Sequence, residues 1–232
     1  MIDDKRAVIL VSGGMDSATA VYEAMDRGYD PYFLHTSYGQ ETADREHECA
    51  RALAEEVDAP DFLHVETEHL AAIGASSLTD DDIEVEEAAP DSDEIPASYV
   101  PFRNANLLSM AVSYAEANDC TAVFIGAHSE DFSGYPDCRP AFFEAFQGVI
   151  DAGTKPETEI ELIAPFVDWS KTDIVERGLE LDVPYELTWS CYQNDTPACG
   201  NCDACAFRLE AFQNAGVRDP ISYEKRPSYA ET

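Results

Sequence analysis

Basic residues are scarce in this chain. Its 232 residues hold 14 Lys and Arg against 47 Asp and Glu, a formal net charge of −33. Lysine occurs only at Lys5, Lys155, Lys171 and Lys225. Such a surface argues against tight binding of bulk nucleic acid, which rests on neutralising phosphates. It repels itself in dilute buffer and suits a salt-rich cytosol, where charges are screened over ~3 Å at about 1 M salt. No apolar run approaches the ~20 residues needed to cross a bilayer. The start, Met1-Ile2-Asp3-Asp4-Lys5-Arg6, has no signal-peptide pattern. The expectation is a cytoplasmic, halophilic protein with no membrane partner and no direct nucleic-acid partner. The odd cysteine count, seven, gives no disulfide framework in that compartment. Two phosphate motifs are also missing: there is no Gly-Lys-Ser/Thr and no Gly-x-Gly-x-x-Gly.

What is present begins with Leu10-Val11-Ser12-Gly13-Gly14-Met15-Asp16-Ser17. A β-branched apolar run from Ala7 to Val11 leads into two glycines, and a helical pattern through Ala18, Thr19, Ala20 and Val21 follows from about Ser17. A strand, a tight turn and a helix start leave backbone N–H groups facing outward beside the helix's positive end, a natural phosphate site. Ser12 and Ser17 add hydroxyl donors. Asp16 is a poor phosphate ligand and a good Mg²⁺ ligand, so it is assigned a metal shared with the phosphates.

The rest of the chain alternates strands and helices. Helix one runs to about Gly28, its C′ residue; strand two covers 31–36; helix two runs from about Glu41 to Val57; strand three covers 62–65. This β-α-β-α-β order implies a parallel sheet with right-handed crossovers. Residues 79–96 are acidic and irregular and read as a solvated loop, placed so that it could act as a lid. A helix opens at Val100-Pro101-Phe102-Arg103-Asn104. Arg103 there opposes the helix dipole and is therefore a candidate for a phosphate or carboxylate. Strand four spans 122–126. Helix 141–152, a strand over 160–166 and a Ser170/Asp173 capping box opening a helix to about Leu181 complete the sheet region. Lys171, at that helix start, is a candidate ATP-phosphate ligand.

Two further stretches carry chemistry. Asp131-Phe132-Ser133-Gly134-Tyr135-Pro136-Asp137-Cys138-Arg139 lies just past a strand's carboxyl end, where open α/β sheets bind ligands. Asp131 or Asp137 can accept from a guanine-like edge, Arg139 can pair with a carboxylate, and Tyr135 or Phe132 can stack on a base. Cys138 and Cys49 read as structural thiols. Cys191-x7-Cys199-x2-Cys202-x2-Cys205 offers four thiolates for one tetrahedral ion. Zn²⁺ is the expected occupant, with an iron–sulfur cluster as the competing reading.

Ser12-Gly13-Gly14-Met15-Asp16-Ser17 resembles the pyrophosphate loop of the ATP pyrophosphatases. Together with Tyr38-Gly39-Gln40, Ser77-Leu78-Thr79, Val100-Pro101-x-Arg103-Asn104, the 131–140 stretch, Thr188-x-Ser190-Cys191-Tyr192 and the cysteine cluster, the chain resembles the 7-cyano-7-deazaguanine synthase family over nearly its whole length. The resemblance implies a Rossmann-like α/β sheet of the adenine nucleotide α-hydrolase type over residues 1–182, with a small zinc segment held by four cysteines over 183–232. It implies ATP bound along residues 10–20, Asp16, Lys171 and Arg103 as catalytic side chains, and Asp131, Tyr135, Asp137 and Arg139 around 7-carboxy-7-deazaguanine. Ammonia as nitrogen source, Mg²⁺, a homodimer and a role in queuosine or archaeosine formation follow from the same likeness. Phe102 departs from the family's usual glycine; phenylalanine does not readily take φ > 0, so the loop is expected to sit differently there. The alternatives are another ATP pyrophosphatase acting on tRNA or a small acid, and a zinc protein that binds ATP without turnover.

Overall fold

The computed structural model describes residues 5–74, 76, 99–128 and 135–227. Five parallel strands form one sheet in the order β3-β2-β1-β4-β5. These are β1 (Lys5–Leu10), β2 (Tyr29–Ser37), β3 (Asp61–Glu66), β4 (Ala122–Ile125) and β5 (Glu161–Ile163). The helices are α1 (Met15–Asp26), α2 (Ala43–Glu56), α3 (Glu68–Ile73), α4 (Arg103–Ala117), α5 (Pro140–Gly153), α6 (Lys171–Glu180) and α7 (Asp203–Asn214).

The period-2 alternation of a strand decides which helices cover which face. Ala7, Ile9 and Val11 point into a core shared with α1, α2, α6 and α7, where Val21, Leu53, Ile174 and Phe212 are buried. Val8 and Leu10 point the other way, into a core with Leu108 and Ala111 of α4 and Phe143 and Phe146 of α5. Both faces of β1 are therefore covered, which is why Ala7–Leu10 is apolar without a break. A third, smaller cluster gathers the four cysteines with Trp189, Ile221 and Cys49, joining residues 189–221 to α2.

The element order matches the alternation read from the sequence, with informative differences at the ends. Helix α1 starts at Met15, two residues earlier than the pattern suggests, because the helix begins inside the loop itself. It ends with Gly28 at φ +83°, its N–H bonded to Met25 C=O at 2.9 Å. Strand β5 is only three residues long instead of seven; the chain turns after Ala164, where Pro165 cannot donate to a ladder. The Ser170/Asp173 capping box is present in both directions. The acidic 79–96 stretch, Ser77-Leu78-Thr79 and Asp131 to Gly134 lie outside the described residues.

The expectation for Phe102 is overturned. It does adopt the left-handed region, at φ 58° and ψ 28°. The ring escapes backbone crowding by projecting outward: it is 60% exposed and meets Phe142 edge-on at 6.3 Å between centroids. The Tyr99 hydroxyl accepts from Phe102 N–H at 3.0 Å, and Phe102 C=O accepts from Asn106 Nδ2 at 2.9 Å. The conformation costs ~1–2 kcal/mol and sets the entry angle of α4, hence of Arg103.

One buried histidine makes stability depend on pH. His35 on β2 is fully buried, with Nδ1 hydrogen-bonded to Val11 C=O at 2.8 Å and the rings of His47 and His64 5.4 and 5.3 Å away. Burial lowers its pKa to about 4, and the two neighbouring histidines add to that. The unfolded chain takes up a proton below about pH 6.5 that the folded protein refuses until about 4. Stability should therefore fall as pH drops through that window, by ~3 kcal/mol from this group. Denaturant melts at fixed high salt check this: His35→Gln should flatten the pH 7 to 4.5 slope relative to the parent. An identical slope would assign the loss to carboxylates instead.

Candidate active site

The strand order places the β1–α1 turn at a topological switch. From β1 the chain moves outward to β2 and β3, then crosses to β4 on the other side. The crevice outside the carboxyl ends of β1 and β4 is where such sheets take ligands. A cavity of about 250 Å³ opens there. Its apolar part is formed by Leu10, Leu34, Leu107 and Ile125; Tyr38, Tyr135, Tyr192 and Phe207 add aromatic faces.

The turn is shaped by glycine. Gly13 sits at φ +87°, and a Cβ there would lie 2.3 Å from the Glu46 carbonyl oxygen. Gly126, just past β4, packs so closely on Asp16 that a Cβ would come within 2.9 Å of its carbonyl carbon. Helix α1 has no side-chain hydrogen bond at its N-cap, Gly14. The Ser12 and Ser17 hydroxyls are 3.0 Å apart across the loop, and Ser12 Oγ accepts from Gly14 N–H at 3.2 Å.

Of the residues in the 10–20 stretch, Leu10, Val11, Ser12, Gly14, Met15, Asp16 and Ser17 line the cavity. Gly13, Ala18, Thr19 and Ala20 do not: Gly13 faces α2, and the other three are buried in the core side of α1. Thr19 Oγ1 is instead within 2.9 Å of both Met15 C=O and the Tyr185 hydroxyl. Asp16 Oδ2 is 3.1 Å from Lys171 Nζ and 3.7 Å from Nε2 of the fully buried His128. The first turn of α6 thus brings the expected lysine to the expected aspartate across 155 residues of sequence.

Arg103 also lines the cavity, donating from Nη1 to the Tyr38 hydroxyl at 3.0 Å. Its opposition to the helix dipole is relieved by Asp137, whose Oδ2 accepts from Asn104 N–H at 2.9 Å. That contact relocates Asp137. It is 3% exposed, caps α4 from another segment and does not line the cavity. Asn104 Nδ2 further donates to Asp137 C=O and to Cys138 Sγ. Arg139 is exposed at the start of α5, likewise outside the cavity. Tyr135 does line it, and so does Cys138, which the sequence reads as a structural thiol within that stretch. Asp131 lies outside the described residues.

Several lining residues are given no site role by the sequence. Glu46 on α2 looks like any acidic residue of an amphipathic helix, yet its carboxylate is turned inward. Gln40 Nε2 and Thr42 Oγ1 each donate to it at 2.9 Å, and burial raises its pKa. Trp189, Ser190 and Arg208 form another wall. Trp189 N–H donates to Gly13 C=O at 2.8 Å, so the cysteine arm is bonded directly to the loop. Arg208 is 1% exposed and fully engaged: Nε and Nη2 meet the Asp219 carboxylate at 2.8 and 3.0 Å, and Nη1 reaches Thr188 Oγ1 at 2.7 Å.

The four cysteines converge. Their Sγ atoms all lie within 4.8 Å of one another, and all four residues are buried. Cys191 Sγ accepts from the N–H groups of Asn194 and Cys199, and Cys199 Sγ from that of Cys202, each at 3.4 Å. Hydrogen bonds from Cys202 and Cys205 hold the Cys191 thiol far below its ordinary pKa. Four thiols with N–H donors aimed at the sulfurs fit a metal ion.

Known proteins resemble this chain over its full length. A 7-cyano-7-deazaguanine synthase of Haloarcula marismortui is 78% identical over 232 residues, the whole of both chains. That of Halobacterium salinarum is 72% identical over 225 residues, 97% of this chain and 98% of the relative. Among solved structures, a 4-thiouridine synthetase in complex with RNA and ATP shares the fold: TM-score 0.50 at 21% identity, covering 91% of this chain and 50% of that one. The model of the family described as queuosine biosynthesis protein QueC matches residues 6–216, and the chain belongs to that family.

Proposed function

We propose that this chain uses ATP to convert 7-carboxy-7-deazaguanine and ammonia to 7-cyano-7-deazaguanine, supplying the base for queuosine or archaeosine in tRNA. The observation that carries this is the pairing of family membership with Asp16 and Lys171 meeting at a glycine turn on the sheet's switch point. A carboxylate is a poor electrophile, so its oxygen attacks the α-phosphorus of ATP and pyrophosphate leaves. Ammonia then adds to the acyl carbon, expelling AMP and giving the amide. A second ATP adenylates the amide oxygen, and loss of AMP and a proton leaves the nitrile.

The residues fit these steps by charge and position. The N-terminus of α1 and the Ser12 and Ser17 hydroxyls receive the leaving pyrophosphate. Asp16 is suited to hold Mg²⁺, which would add positive charge beside the phosphates. Lys171 sits where it can neutralise the pyrophosphate. Arg103 takes the place that Arg139 was expected to hold, as the fork for the substrate carboxylate or the acyl-phosphate oxygen. Tyr135 offers a ring face. Asp131 is kept as a substrate contact only by the family resemblance.

Zn²⁺ is the proposed ion at the cysteine cluster. A mononuclear tetrahedral site with Zn–S of about 2.3 Å has sulfurs ~3.8 Å apart, close to the 3.9 Å between Cys199 and Cys205 Sγ. An iron–sulfur cluster spreads its thiolates more widely. The ion is structural, since the four thiolates leave no open position. A homodimer is proposed from the resemblance. The apolar row of Phe102, Phe142, Phe146 and Val149, with Phe102 and Val149 each 60% exposed, is consistent with a covered face.

The reading is tested by turnover, by one substitution and by metal analysis. In high salt with Mg²⁺, ATP, ammonium and the carboxylic acid, mass spectrometry should detect nitrile and chromatography AMP, both dependent on acid and ammonium. AMP without nitrile would mean another acceptor; ATP bound without AMP would mean a sensor. Asp16→Asn should lower AMP formation by ~100-fold or more with the far-UV spectrum unchanged, and near-normal turnover would remove its metal role. Elemental analysis should find one zinc per chain, and chelation should lower the melting temperature; an unchanged melting temperature after verified metal loss would defeat the structural role.

A further inference from the structure

We propose that Glu46 reads the guanine edge of the substrate, its two carboxylate oxygens accepting from the ring N–H and the neighbouring exocyclic amine. This rests on the function proposed above, which demands an acceptor for that edge. Among the described residues two carboxylates line the cavity, Asp16 and Glu46. Asp16 is on the phosphate loop, 3.1 Å from Lys171. Asp137, the acceptor suggested by the sequence, is consumed in capping α4.

Glu46 is built to hold one orientation. Its Oε2 accepts from Gln40 Nε2 and its Oε1 from Thr42 Oγ1. Gln40 is itself fixed by Tyr38 N–H, which donates to its Oε1 at 2.8 Å, and Thr42 also reaches Cys191 C=O at 3.2 Å. Each carboxylate oxygen thus holds one neutral donor and keeps acceptor capacity for one more. Two adjacent N–H groups in a plane are the matching partner, as a guanidinium is for a carboxylate elsewhere. The ring faces of Tyr38, Tyr135 and Tyr192 in the same cavity suit a flat bicyclic base, and Arg103, bonded to Tyr38, suits its carboxylate. Burying a carboxylate whose hydrogen-bond donors are all neutral is costly. In the free protein burial raises its pKa, with the donors Gln40 and Thr42 and the Arg103 charge pulling the other way. A charge-assisted pair with the incoming edge offsets that cost on binding.

The test compares 7-carboxy-7-deazaguanine with its analogue lacking the exocyclic amine, in the parent and in Glu46→Gln. The amide replaces one acceptor with a donor that opposes the amine. Glu46→Gln should raise KM for the natural acid by about 10- to 100-fold and erase a similar factor of selectivity over the analogue. KM for ammonium and the ATP dissociation constant should stay within about twofold. Glu46→Asp, which keeps the carboxylate one methylene back, should recover part of the selectivity. An equal loss for both bases would make Glu46 a brace of the Tyr38–Gln40 turn and overturn the proposal. So would a rise confined to the KM for ammonium. Calorimetric binding of both bases to both proteins gives the same selectivity ratio without turnover. It therefore tests Glu46 even if the parent protein forms no nitrile, an outcome that counts against the proposed function alone.

Discussion

The structure depends on one backbone unit, Gly13, gripped from two sides. On one side α2 presses so close that Glu46 C=O leaves no room for a Cβ. On the other, Trp189 N–H donates to Gly13 C=O. The loop after β1 is thus clamped between a helix packed on the sheet and the arm that carries the cysteines. An open turn of this kind gains little rigidity from its own side chains. Here the rigidity comes from main-chain contacts that fix where the N–H groups point, the form of preorganisation that stabilises developing charge most effectively. Any side chain at residue 13 would push α2 outward, and with it Glu46.

Charge is distributed with the same selectivity. A chain with 14 cations and 47 anions has few cations to place. Yet Lys171, Arg103 and Arg208 all line one cavity, beside only two described carboxylates. Arg208 is neutralised by Asp219 and Lys171 is paired with Asp16, so in a chain of net charge −33 the described lining is close to charge-balanced. That lowers the repulsion that an anion such as a nucleoside triphosphate or a carboxylic acid meets on entering the crevice. High salt screens the outer surface over a few ångströms but penetrates the buried pairs much less. An acidic exterior and a charge-balanced cavity can therefore coexist, and the two halophilic relatives fit a surface of this kind.

Local pattern suffices to read the sheet, the glycine turn, the capping box and the cysteine cluster, because each is written in residues close together in the chain. Asp16 and Lys171 are each legible from position within an element, and the fold brings them together. Residues whose role depends on a distant partner are not legible in this way. Asp137 looks free in a polar loop until α4 supplies Asn104 as its donor. Glu46 is one acidic residue among 47, and nothing local distinguishes an inward-facing carboxylate from a solvated one on the same helix. Phe102 misleads for the converse reason: its left-handed backbone is tolerated because its ring has an exposed path and a partner in Phe142, neither visible from the residue alone.

Arg208 is invisible in the same way, and it ties the parts together. It lies three residues after Cys205 on α7, and its guanidinium reaches across to Thr188 Oγ1, Tyr185 C=O and the Asp219 carboxylate, with Ser190 Oγ at 3.3 Å. The chain on either side of Trp189 is therefore held by a residue whose helix begins at the cysteine cluster. Tyr223 and Arg226 close the circle, the first donating to Asp219 Oδ2 and the second to the backbone at Asp219 and Ile221. Losing either member of the buried Arg208–Asp219 pair would strand a charge in the interior, at a cost of ~3–5 kcal/mol. A hydrophobic pair could fill the same volume without that desolvation cost, but it could not bond to Thr188 and Ser190. What the ion pair contributes is placement: it fixes the segment that donates to Gly13, so order at the cysteine cluster is passed by short, directional bonds to the phosphate loop.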